Sequence, residues 1–109
     1  MATTSFKQVQ QYLDDIIAAW TKANGGTPPD LPGAHADPGM GWATKQQLAD
    51  SAPYGNQLII PGTAGKDTNL YLALTSGVPG FPQMPMGGPY MPASQTDYIA
   101  KWIDEGMPD

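Results

Sequence analysis

The sequence predicts one mainly α domain with long loops. Three observations carry this: an amphipathic stripe near each end, two short capped segments between them, and two Pro/Gly-rich stretches that no regular element tolerates. At 109 residues, with 40% hydrophobic content, three Trp and five Tyr, the chain can fill one core, so residues 1–109 are expected to form a single domain. Met1-Ala2 reads as an added start, and the domain is expected to come from a larger protein.

From Phe6 to Trp20 the apolar residues fall at positions 6, 9, 13, 16, 17 and 20, one face of a helix, with Gln8, Gln10, Gln11, Asp14 and Asp15 opposite. Thr4 or Ser5 can cap its first amides. Gly25-Gly26 and then Pro28-Pro29 end it, because Gly accepts a left-handed C-cap and Pro cannot continue the ladder. Residues 25–43 hold five Gly and four Pro and form the first long loop. Thr44 with Gln47 marks a short helix over Lys45 to Asp50. Pro53-Tyr54-Gly55-Asn56 reads as a turn, and Gln57 to Ile60 as a short strand or a buried extended segment that stops at Pro61-Gly62. Asp67 or Thr68 can cap a third helix through Leu70 to Leu74, ending at Ser76-Gly77. Residues 77–93, with five Pro, four Gly and three Met, form the second long loop. Ser94 with Asp97 reads as a capping box for a last helix whose apolar stripe is Tyr98, Ile99, Trp102 and Ile103. Gly106 is the expected C-cap, with Met107 folding back and Pro108 as the stop. The first and last helices are expected to touch through these stripes.

Composition removes several function classes. The chain has no Cys, one His, no Arg and a net charge of −5. Disulfides, thiolate metal sites, a Cys nucleophile and multi-His metal centres are therefore excluded. No basic patch exists to displace counterions, so nucleic acid is not an expected partner. The longest apolar run, Leu58-Ile59-Ile60, is far below the roughly 20 residues of a membrane-spanning helix, and membrane insertion is not expected. No Ser/His/Asp order, metal-binding His pair or phosphate-cradling loop is present, so no enzymatic role is expected. The acidic pairs Asp14-Asp15 and Asp104-Glu105 read as solvated helix faces or ends.

The segment from Leu58 to Asp109 carries Ile60-Pro61-Gly62, then Thr68-Asn69-Leu70-Tyr71-Leu72-Ala73-Leu74, then Met84-Pro85-Met86-Gly87-Gly88, and finally Trp102-Ile103-Asp104-Glu105-Gly106-Met107-Pro108. In order and spacing this resembles the C-terminal half of small bacterial c-type cytochrome domains. Those domains show an extended Val-x-Pro-Gly segment, a short Leu-Tyr helix, a Met-Pro-Pro-Gly-Gly loop and a closing helix ending in Trp-Ile-Asp. The N-terminal half shares only an amphipathic helix followed by a Gly pair and a long loop.

The resemblance implies a cytochrome c-like fold and haem attachment through Cys-x-x-Cys-His at the end of the first helix. Aligning the Gly pair places Trp20, Ala23 and Asn24 where the two Cys and the axial His would stand. No thioether can form there, and Asn is a poor substitute for imidazole. Met84 matches the family's distal ligand. The reading is a domain that has lost its haem, with no cofactor. An empty site of haem size would be destabilising at roughly 24 cal/mol per Å³, so Trp20, Trp42, Phe81, Met84, Met86, Tyr90 and Met91 are expected to fill it. The implied role is a non-catalytic binding or interaction module of a secreted or periplasmic multidomain protein. Its partner would be a protein, a polysaccharide or a neighbouring domain, with Trp42, Tyr54 and Tyr90 as the candidate surface. The alternative is electron transfer, with haem held non-covalently by Met84 and His35, or with copper on Met84, Met86, Met91 and His35, whose thioethers suit Cu(I). The competing reading of the three Met is plain core filling.

Overall fold

The computed structural model describes residues 3–23, 25–26, 41–52, 57–60, 62–77, 84 and 89–109. Its helices are α1 (Phe6–Ala23), α2 (Lys45–Asp50), α3 (Asn69–Thr75) and α4 (Ala93–Asp104), with a 3-10 turn at Gly65–Asp67. The mainly α expectation holds, and among the described residues no strand forms. No described helix is long and apolar enough to cross a membrane.

Each helix starts where a side chain or carbonyl meets its orphan amides. The Ser5 hydroxyl accepts from the Gln8 N–H at 3.3 Å, so Ser5, not Thr4, caps α1. At α2 the Thr44 hydroxyl accepts from the Gln47 N–H at 3.0 Å, while the Gln47 side chain accepts from the Ala43 N–H at 2.7 Å. Thr68 caps α3 through the Tyr71 N–H at 3.3 Å. The start of α4 differs from expectation. Pro92 is its N-cap, its carbonyl taking the Gln95 and Thr96 amides at 2.9 and 3.1 Å, so Ser94 lies inside the first turn and no side chain caps the helix. At the other end Gly106 is left-handed with φ 89°, and Met107 follows at φ 57°, its N–H donating to the Trp102 carbonyl at 2.9 Å. Met107 does fold back onto the core.

The core joins Val9, Leu13 and Ile16 of α1 to Leu48, to Leu58 and Ile59, to Leu70 and Leu74, and to Ile99, Trp102 and Ile103 of α4. Residues 57–60 form neither helix nor strand, with Leu58 and Ile59 buried and Gln57 and Ile60 exposed, and Leu58 bridges two elements. Its N–H donates to Ser51 and its carbonyl accepts from Leu70, both at 3.0 Å. Helix α4 lies at the centre, packed on α1, α3 and the 3-10 turn. Trp102 is fully buried, and truncating a side chain so placed costs about 3–5 kcal/mol. Its indole N–H donates to the Pro108 carbonyl at 2.8 Å, which also accepts the first amide of α1, Phe6 N–H, at 3.0 Å. Ring contacts close the α1–α4 seam. Phe6 and Trp102 have centroids 5.9 Å apart, and Tyr12 meets Tyr98 edge to face at 5.4 Å.

Gly65 is a close-approach glycine. A Cβ there would collide with the backbone of Ala100 in α4. Its N–H donates to the Asp104 carboxylate at 2.7 Å, and its carbonyl accepts the Thr68 hydroxyl at 2.7 Å.

Candidate functional site

Trp20 and Ala23 occupy the last turn of α1, Trp20 half-buried and Ala23 exposed. The helix stops just beyond them because Gly25 and Gly26 take φ of 90° and 88°, and the Gly26 N–H closes on the Thr21 carbonyl at 2.8 Å. Open space surrounds both glycines, so it is the left-handed backbone that requires them. Asn24 lies outside the described residues.

Of the Met positions, Met84 is half-buried and tied to α3 by its N–H, which donates to the Ala73 carbonyl at 2.6 Å. Met91 sits in the apolar core at 5% exposure, immediately before α4, where it serves packing. Met86, Phe81 and His35 lie outside the described residues. Among the described residues no three His, Asp or Glu side chains gather where a metal could bind.

The candidate surface divides. Trp42 is half-buried against the core, with its indole N–H donating to Asp14 at 2.8 Å and its carbonyl accepting the Gln10 side-chain amide at 3.0 Å. It closes the end of the first loop onto α1. Tyr90 is 48% exposed. Tyr54 lies outside the described residues. Ile60 is equally exposed at 48%. An exposed aromatic ring with a hydroxyl can stack on an apolar or sugar face and accept or donate one hydrogen bond.

The acidic pairs correct the solvation reading in part. Asp14 accepts from Trp42, Asp104 from Gly65, and Glu105 from Thr3 and Thr4. The Thr4 hydroxyl first, then the Thr3 amide and hydroxyl and the Thr4 amide, hold the Glu105 carboxyl at about 2, below its ordinary 4.5. Two acids at the C-terminal end of a helix oppose its dipole, at a cost of about 0.3–1 kcal/mol that solvation or donors from elsewhere can offset.

The chain matches no protein-family model, no curated protein and no solved structure.

Proposed function

We propose that this chain is a haem-free, cytochrome c-like domain that works as a non-catalytic binding or interaction module of a secreted or periplasmic protein. The observation that carries the reading is the substitution of Trp20, Ala23 and Asn24 at the positions where the resemblance expects two thiols and an imidazole. It is supported by the helical order, with the first and last helices in contact, and by the half-buried position of Trp20, a large apolar side chain at the end of α1. The partner is a protein, a polysaccharide or a neighbouring domain of the parent chain, met by the exposed ring of Tyr90. Trp42, the other described residue of the candidate surface, is tied to α1 through Asp14 and Gln10.

Immobilised protein screened against soluble polysaccharides and the flanking domains of its parent tests this. Any genuine hit is expected to weaken about tenfold or more in Tyr90→Ala, the scale of an aromatic anchor at an interface. Hits that leave Tyr90→Ala at wild-type affinity would place the binding surface elsewhere.

A further inference from the structure

Residues Thr3 and Thr4 precede α1 and cross to the far end of the chain. Thr4 is buried and Thr3 exposed, and every hydrogen-bond donor of the two converges on one side chain. The Thr3 N–H reaches both Glu105 oxygens at 3.1 Å, and the Thr3 hydroxyl reaches Oε2 at 2.9 Å. The Thr4 N–H reaches Oε1 at 3.0 Å, and the Thr4 hydroxyl donates to the same oxygen. One residue further on the partners change. The Ser5 N–H goes to the Tyr98 hydroxyl at 3.0 Å, and from Phe6 onward the chain is anchored by the Pro108 carbonyl and by the Phe6–Trp102 ring contact.

We infer that Thr3 and Thr4 form a latch across the α1–α4 seam, with the Glu105 carboxylate as its single catch and Ser5 as its hinge. The latch opens separately from the helix pair beneath it. Two features make the opening local. Its hydrogen bonds all end on one carboxylate, so losing that group releases both residues together. The helix pair is held by buried apolar contacts among Val9, Leu13, Ile99 and Trp102, beside the polar contacts of the latch. Segments with few buried apolar contacts open at lower free energy than the core they border. The device is independent of what the domain binds. Closed, it supplies the first amides before α1 with a carboxylate, and open, it frees that carboxylate and uncovers the surface beneath Thr4.

Amide hydrogen exchange resolved by residue tests the inference, on the wild type and on Glu105→Gln, which keeps shape and loses charge. In the wild type, Thr3 and Thr4 are expected to exchange faster than Leu13, Ile99 and Trp102. In Glu105→Gln their exchange is expected to rise about tenfold or more, the cost of removing an ionised acceptor, with the three core amides unchanged. Thr4→Val, which removes only the buried hydroxyl, is expected to act in the same direction. Equal acceleration at latch and core would show that no separate device exists. Unchanged exchange at Thr3 and Thr4 would show that Glu105 is not the catch.

Discussion

Glu105 illustrates how a residue with an unremarkable place in the sequence can hold two ends of a chain. It ends a helix, where an acid opposes the dipole, and nothing within its own neighbourhood in sequence explains it. Its partners stand 101 and 102 residues away, a distance no local pattern spans. The sign of its pH dependence follows from its depressed pKa. With the folded-state value near 2 and the ordinary value 4.5, its contribution is complete above 4.5 and is lost as pH falls through about 2. The side-chain carboxyl resonance of Glu105, followed by NMR during acid titration, should have its midpoint near 2, and a midpoint near 4.5 would mean that the Thr donors do not hold it. The ion pair of Lys45 with Asp109, at 2.6 Å, is short but exposed on the Asp side, and pairs of that kind contribute only about 0–1 kcal/mol.

The helices were legible to different degrees, for physical reasons. Helix α2 has the expected bounds because Thr44 and Gln47 both engage orphan amides. Ser94 and Asp97 have capping-box spacing, yet α4 begins before them at Ala93, with the Pro92 carbonyl accepting the Gln95 and Thr96 amides. The 3-10 turn at Gly65–Asp67 is a single turn, too short to show any periodicity, and it was missed. Its importance lies in a contact that sequence does not encode locally, the approach of Gly65 to the Ala100 backbone. Gly65→Ala is expected to destabilise the domain by about 1–3 kcal/mol, the cost of overpacking against atoms that cannot rotate away. Chemical denaturation measures it, and a change within about 0.5 kcal/mol would show that the turn shifts freely, as a surface substitution does.

At the scale of the whole molecule, the mainly helical class and the contact of the terminal helices could be read from two stripes of apolar residues at the helical period. The α1–α4 seam also uses Tyr12 against Tyr98, a pair whose first member lay outside the stripe as read. The candidate site was less legible. Which aromatics face outward depends on how loops close, and Trp42, grouped in sequence with Tyr90, is instead tied to Asp14 while Tyr90 stays exposed. The proposed function stands on Trp20, Ala23 and Asn24, which occupy the positions where the resemblance would put the attachment residues. The direct test is an absorption spectrum of the protein purified from haem-replete cells that export and mature cytochromes. The account predicts no Soret band above the level of unbound contaminant. A Soret band at one haem per chain would contradict it and assign the domain to electron transfer.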